Sequence, residues 1–594
     1  MTKTIFIALL LGGVELSASC GSSGHAPPGT VAACDDGLKS VDLGSGATVT
    51  LVKAFKKGDA MSLVSPAPAG AVSAQADVCL VKLIVGPGSP GPVGAPSTSA
   101  GIGVEVLLPA AVAWNERYQA FGGAGLLGGP DITSLTAIGF SRMHPDAVSS
   151  AMNGFVVSIT DGGHSVGMNQ GLFFVNPDGT FNETLYRDSK ERAAHEMVLK
   201  SKALIHAFYG KQAKFSYWNG CSAGGSQALT EVERYAEDFD GVLAGAPAID
   251  RDKAAASLWP QVVMQQDLGQ PIARAKLEAV TAAAIAACGP ALTGQADGYV
   301  SDPSECRYDP TLDHALLCAA DGGSNQTAVC LTEAEAAAIN KIWYGPTIDG
   351  KVPSPAADNG YDSRGALAPN QLWFGLSRGT RLAGHPYWDG LAGAAPPMMG
   401  LMGFIAVALG DPSFAAPGSE KWKTIGYTGP ISFANVFAAF ASFFGNVSTT
   451  DADVHAFRDR GGKLLIWHGT GDSLIFPPGT VRYYEAMSAL VGGYVEARKF
   501  ARLYLAPGID HCFFASVSGT NPPAPGGHLG DPDTPNVGLM DVLQRWVEND
   551  EEPEQITATS APGVSPTRTR PWCPYPKKLH YGGGDVNTGP FSCE

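Results

Sequence analysis

The chain has 594 residues, of which 45% are apolar and 16% charged, with a formal net charge of −16. That length exceeds one ordinary domain, and the apolar share is ample for a core, which excludes a largely disordered chain. The acidic balance excludes nucleic acid as a partner, because a phosphate backbone demands a basic face.

In chain order, residues 1–20 read as an export signal. Lys3 supplies the positive end, "IFIALLLGGVEL" a short apolar core, and "SASC" a small-residue run ending at Cys20. The apolar core is too short to span a bilayer, and no later stretch reaches membrane length without charge or Pro/Gly breaks. The expected product is secreted, or is a periplasmic or outer-membrane lipoprotein anchored through Cys20. Against the anchor, Ser17 stands where a leucine is expected. Residues 21–33 are a Gly/Ser/Pro-rich linker.

From 34 to 250 apolar runs alternate with helical stretches, as in α/β architecture. Strands are expected at Val81–Val85, Gly103–Leu108, Tyr118–Phe121, Phe155–Thr160 and Phe215–Trp218, and a helix over 191–209 ending at Gly210. Between 251 and 452 the texture shifts to helices such as "ARAKLEAVTAAAIAAC", cysteine-closed loops and Gly/Pro/aromatic-rich segments, as for an inserted domain. The α/β pattern returns over 453–594, with strands at Lys463–His468 and Arg502–Leu505 and a helix at Val537–Glu548. Setting aside Cys20, ten cysteines remain, an even set suited to five disulfides in an oxidising compartment. The spacings 288/306, 318/330 and 573/593 suggest short bridged loops.

Three Gly-x-Ser-x-Gly pentads occur, centred on Ser165, Ser222 and Ser377. A nucleophile elbow needs a strand in, a glycine-flanked turn and a helix out. Only Ser222 has all three: "FSYW" leads in, and Ala228, Leu229, Val232, Tyr235, Ala236 and Phe239 recur at helical spacing beyond it. Ser165 and Ser377 lack an outgoing helix and read as ordinary loop. Downstream, "KLLIWHGTGDSLIF" ends a strand in a turn bearing Asp472, and "RLYLAPGIDHCFF" places His511 after another. Ser, Asp, His is the α/β-hydrolase order, in which the imidazole takes the serine proton and the carboxylate orients it. Asp510 is the rival acid, and His468 either lines the pocket or closes a strand in the core. Cys221 precedes the serine and Cys512 follows the histidine. If serine and histidine meet, a Cys221–Cys512 bridge is within reach and clasps nucleophile to base. The backbone N–H groups of Ala223 and of Gly125, in the loop "FGGAGLLGG", are the expected oxyanion donors.

At these residues the chain resembles the tannase and feruloyl esterase family. The likeness rests on "WNERYQAFGGAG", "TDGGH", "GCSAGG" followed by "GVLAGAPAI", "FRDRGGKLLIWHG", "GIDHC" and the C-terminal "TRTRPWCPYPKKLHYGGGDVNTGPFSC". It implies an α/β-hydrolase core with a large lid inserted between nucleophile and acid, and Ser222, Asp472 and His511 as triad. It also implies bridges Cys34–Cys79, Cys288–Cys306, Cys318–Cys330 and Cys573–Cys593 beside Cys221–Cys512. No cofactor is required. Relatives carry a calcium loop in the lid, which here reads "CGPALTGQADGYVSD", with Asp297, Gln295, Tyr299 and Asp302 as a degraded ligand set. The implied activity is hydrolysis of feruloyl- or galloyl-type aromatic esters, small molecules that His468, Ile475, Met398, Met402 and Phe404 would contact. Two alternatives stand beside it: hydrolysis of mono(2-hydroxyethyl) terephthalate, and a catalytically silent aromatic-binding protein. The first needs a lid arginine, yet Gly393–Gly410 holds no basic residue, leaving Arg378 or Arg381 as substitutes.

Overall fold

The computed structural model describes residues 32–594 apart from 124, 127, 129–130, 141–144, 166–170, 295–297, 385–400, 417, 446–450, 513–537 and 560–567. The expected signal with Cys20, nearly all of the linker, Gln295, Asp297 and Met398 lie outside the described residues. A nine-stranded sheet runs in the order β1 (Ala47–Phe55), β2 (Val78–Val85), β3 (Ile102–Pro109), β5 (Val156–Thr160), β4 (Arg117–Phe121), β6 (Phe215–Cys221), β7 (Gly241–Gly245), β8 (Lys463–Gly469) and β9 (Ala501–Ala506). From β1 to β5 the neighbours pair antiparallel, and from β5 through β4 to β9 they pair parallel.

The parallel half is apolar on both faces. Trp218, Val242, Leu464 and Ile466 pack to one side with Leu204 and Ile205 of α1 (Ala193–Tyr209) and Leu229 and Val232 of α2 (Ala223–Arg234). Tyr484 and Met487 of α3 (Pro477–Leu490) join them. Tyr217, Leu243, Leu465 and Trp467 pack to the other side with Leu539, Leu543 and Trp546 of α4 (Leu539–Asn549). Strands covered on both faces read as continuous apolar runs, which is why "KLLIW" and "FSYW" are conspicuous in the sequence.

The structure is an α/β-hydrolase fold, with a chain segment of more than 200 residues between β7 and β8. That segment has its own core, in which Trp259, Val263, Ile339, Trp343, Phe433 and Phe440 are joined by Phe173, Phe174 and Tyr186 from earlier in the chain and by Phe476 from later. The helix expected from residue 191 begins as a π turn, Asp188–Arg192, and becomes α-helical at Ala193; it ends at Gly210 in the left-handed conformation. Two C-terminal hairpins, β10 (Ile556–Thr559) with β11 (Thr569–Trp572) and β12 (Leu579–Asp585) with β13 (Gly589–Cys593), were not legible as strands.

Five disulfides staple the molecule: Cys34–Cys79, Cys221–Cys512, Cys288–Cys306, Cys318–Cys330 and Cys573–Cys593. Among the described residues no helix is long and apolar enough to cross a membrane.

Candidate active site

Strand β6 ends at Cys221, and Ser222 turns the chain directly into α2 with φ 62° and ψ −118°. A β-carbon resists that conformation, at a cost of about 1–3 kcal/mol, and the surroundings must hold it. They do so through the backbone. Ser222 N–H donates to Gly245 O at 2.9 Å, and Ser222 O accepts from Ser226 and Ala248 N–H, both at 3.0 Å. The flanking glycines are required by contact: a β-carbon on Gly220 would lie 2.5 Å from Gly224 O, and one on Gly224 would lie 2.9 Å from the Gly122 carbonyl carbon. Ser377, by contrast, is buried and followed by turns rather than a helix over 378–384, and Ser165 is an exposed loop residue.

Asp472 sits in the turn after β8 and is fully buried. Its Oδ1 accepts from Leu474 and Ile475 N–H, both at 2.8 Å, and its Oδ2 accepts from His511 Nδ1 at 2.7 Å. Burial alone would raise the carboxyl pKa, but the His511 charge and the hydrogen bonds from His468 and His511 outweigh it and hold it well below the usual carboxylate range. For His511, burial works downward, while the Asp472 charge and hydrogen bond and the Asp510 charge raise its pKa. Asp510 is occupied elsewhere: its Oδ1 accepts from Ser473 N–H and Oγ–H and from His511 N–H at 2.9, 2.8 and 2.7 Å. Burial and the nearby Asp472 push it up to about 6.

The Cys221–Cys512 bridge, with Cα atoms 6.0 Å apart, draws the residue before the serine onto the residue after the histidine. His511 Nε2 faces this bridge, 3.7 Å from Cys512 Sγ. Among the described residues no hydrogen bond joins Ser222 Oγ to that nitrogen, a contact that in serine hydrolases often closes only around substrate.

Ala223 opens α2, where the first N–H groups have no intrahelical acceptor. The glycine loop lies against the elbow. Gly122 N–H donates to Asn219 O at 2.8 Å, and Gly123 N–H donates to Gln227 Oε1 at 3.0 Å. Gly125 follows, exposed and with φ 58°. Gln227 escaped the sequence reading, although its place on the helix that leaves Ser222 was the available signal. Beyond the loop, buried Lys82 pairs with Glu105 at 2.7 Å, and its three N–H donors are shared with the nearby carbonyls of Asp131, Ile132, Ser134 and Ala137. Glu105 in turn accepts from Gly139 and Phe140 N–H.

Several expected contact residues stand elsewhere. His468 does not line a pocket: it is 0% exposed, with Nε2 3.1 Å from Asp472 Oδ2 and Nδ1 2.8 Å from Thr480 Oγ1. Ile475 is half-buried and contributes its backbone to this network. Phe404 is buried in an aromatic cluster, 4.2 Å from Phe174 and 5.2 Å from Phe444 between ring centroids, so it builds the lid core, and Met402 beside it is half-buried. Arg378 is buried, donating to Tyr308 O and Asn359 O and stacked over Trp343, which removes it as a carboxylate holder. Arg381 is half-buried.

Of the expected calcium ligands, Asp297 and Gln295 lie outside the described residues, and the Asp302 carboxylate is engaged elsewhere. Asp302 Oδ1 accepts from Ser304 N–H and Oγ–H, and its Oδ2 pairs with Lys578 Nζ at 2.7 Å; Tyr299, expected to contribute its carbonyl, is buried in the lid. A carboxylate already neutralised by an ammonium group has little charge left for Ca²⁺.

The family model described as tannase and feruloyl esterase matches residues 93–371 and 432–592. A probable feruloyl esterase of Arthroderma benhamiae is 33% identical over 501 residues, covering 82% of each chain. The mono(2-hydroxyethyl) terephthalate hydrolase of Piscinibacter sakaiensis is 31% identical over 525 residues, covering 81% of this chain and 79% of that protein. Among solved structures, feruloyl esterase B from Aspergillus oryzae superposes with a TM-score of 0.71 at 23% identity, over 93% of this chain and 97% of that one. Tannin acyl hydrolase from Aspergillus niger gives 0.65 at 21% identity, over 94% and 95%. These two likenesses concern the fold.

Proposed function

Because the chain belongs to the tannase and feruloyl esterase family and is a carboxylic-ester hydrolase, we propose that it is a secreted serine esterase for esters of aromatic acids of the feruloyl or galloyl kind. Ser222 Oγ attacks the ester carbonyl while His511 Nε2 takes its proton, and Asp472 keeps the imidazole in the tautomer with Nδ1–H. The oxyanion is met by the N–H groups of Ala223 and Gly125. His511 returns the proton to the departing alcohol, leaving an acyl-enzyme. Water, deprotonated by the same imidazole, then releases the acid and restores Ser222. No step draws on a metal.

The observation that carries this reading is the 2.7 Å His511–Asp472 hydrogen bond at one end of the Cys221–Cys512 bridge and the strained Ser222 at the other. The aromatic-acid specificity rests on feruloyl esterases being among the relatives. Secretion is supported by five disulfides, which persist in oxidising compartments. A second reading, hydrolysis of mono(2-hydroxyethyl) terephthalate, is favoured by the 31% identical relative of that name. It is weakened by the lack of a basic residue in Gly393–Gly410 and by the occupied Arg378.

The test is turnover of methyl ferulate, methyl gallate and mono(2-hydroxyethyl) terephthalate by the wild type and by Ser222→Ala. The serine variant is expected to lose at least about 10⁴-fold in kcat. Full activity in that variant would refute the nucleophile, and turnover of the terephthalate half-ester alone would select the second reading.

A further inference from the structure

We propose that His468 is a positioning residue for the acid of the triad, a second imidazole N–H donor that shares the oxygen Oδ2 of Asp472 with His511. This inference rests on the triad reading above.

The tautomer of His468 follows from its neighbours. Nε2 lies 3.1 Å from Asp472 Oδ2 and 3.2 Å from Ile475 O, both acceptors, so it carries the proton. Nδ1 lies 2.8 Å from Thr480 Oγ1, and in the neutral ring it accepts the hydroxyl proton. Accepting there draws electron density from the ring and strengthens the opposite N–H as a donor. The ring is fully buried, and its hydrogen-bond partners among the described residues are Asp472, Ile475 and Thr480.

Asp472 therefore has four donors, two backbone amides on Oδ1 and two imidazoles on Oδ2. The amides fix the carboxylate plane, and His468 occupies the part of Oδ2 that His511 does not use. A donor shared in this way has two consequences. It stops the carboxylate from swinging away from His511, and it draws off part of the charge that Asp472 offers to His511. Without it, Asp472 binds the proton of His511 more strongly, and the imidazole stays protonated, hence inactive as a base, to a higher pH.

Asn and Gln separate the two ring nitrogens. In His468→Asn the amide reaches the position of Nδ1 and keeps Thr480, but loses Asp472. In His468→Gln the amide reaches the position of Nε2 and keeps the donor to Asp472. The test is kcat, KM and the acid limb of kcat/KM against pH, with melting temperature, on the full chain with methyl ferulate. His468→Asn is expected to lower kcat about tenfold with KM unchanged and to move the acid limb up by about one pH unit. His468→Gln should recover most of both. Thr480→Val, nearly isosteric, removes the polarising hydroxyl and should shift the limb in the same direction by less, so the proposal remains testable if His468→Asn does not fold.

The ionisable groups facing this network are Asp472 and His511, Asp510 from the histidine loop, and Asp250, whose Oδ2 lies against Gly479 at the start of α3. These are common to all variants, so the comparison isolates His468. A rise in KM with kcat and limb intact would mean that His468 touches substrate after all. A fall in melting temperature with an unmoved limb would mean a purely structural role. Either overturns the proposal. Ser222→Ala and Asp472→Asn run alongside: activity surviving in those two is a failure of the triad reading, whereas their inactivity with an unmoved limb in His468→Asn and Thr480→Val is a failure of this one.

Discussion

At the scale of single residues, the proposed chemistry turns on what faces His511 and Asp472. The raised pKa of His511 makes the neutral base scarcer in acid, so kcat/KM should climb through an inflection above the ordinary imidazole value of about 6.5. An inflection below it in a pH–rate series would contradict the ion pair. Asp472 works in the opposite sense. Its folded pKa is depressed, so the stability it contributes is present above the ordinary carboxylate range and is lost as pH falls through that range and below. Asp472→Asn keeps the volume but turns an amide toward two imidazole N–H groups. Its kcat should fall by roughly 10⁴-fold, as expected when the base is left in the wrong tautomer. That Ser222, Asp472 and His511 each stand at a turn after a strand was legible because each follows an apolar run. His468 was not, since a histidine near a strand end looks the same in sequence whether it meets a ligand or an acid. The four-residue step to Asp472 was the only hint, and it needed the turn geometry to mean anything.

Among the elements, the elbow and the loops beside it form a close-packed joint made of backbone. Gly224→Ala would drive a β-carbon against the backbone of Gly122 and Gly123, at 2.9 Å from each. The glycine loop must then retreat from the position the oxyanion reading requires, so kcat should drop by more than tenfold while KM changes little. Steady-state kinetics with methyl ferulate check this. The next loop is held from below by Lys82. Lys82→Met would leave Glu105 buried without its counter-charge and the carbonyls around it short of its N–H groups, a loss of about 3–5 kcal/mol that a urea melt would register. The strands that escaped the sequence reading have physical reasons for doing so. In β7, "GVLAG", β-carbons on the two glycines would strike Tyr217 and the Trp467 ring, so packing selects residues with poor strand propensity. Strand β1 lies at the sheet edge with no clean alternation of buried and exposed positions.

Taken whole, the molecule has apolar cores on both faces of the sheet and another in the lid, with covalent staples of different purpose inside these parts. The large lid was legible as a change of texture, but its core was not, because it borrows Phe173, Phe174, Tyr186 and Phe476 from sequence outside it. Cys34–Cys79 closes 45 residues and Cys221–Cys512 closes 291. Replacing either pair with serine should cost about 2–5 kcal/mol of stability. Only the second should also depress kcat, since only the second adjoins Ser222 and His511, and paired urea melts and kinetics separate the two effects.

The longer of these bridges also decides what a protease can achieve. Every peptide bond from residue 222 to residue 511 lies inside its ring, the entire lid included. A single cut there opens the ring without parting the molecule, because one fragment keeps Cys221 and the other keeps Cys512. A nicked enzyme should therefore run as one band on a gel without thiol and as two after dithiothreitol, and its halves should stay in register for as long as that one sulfur pair survives.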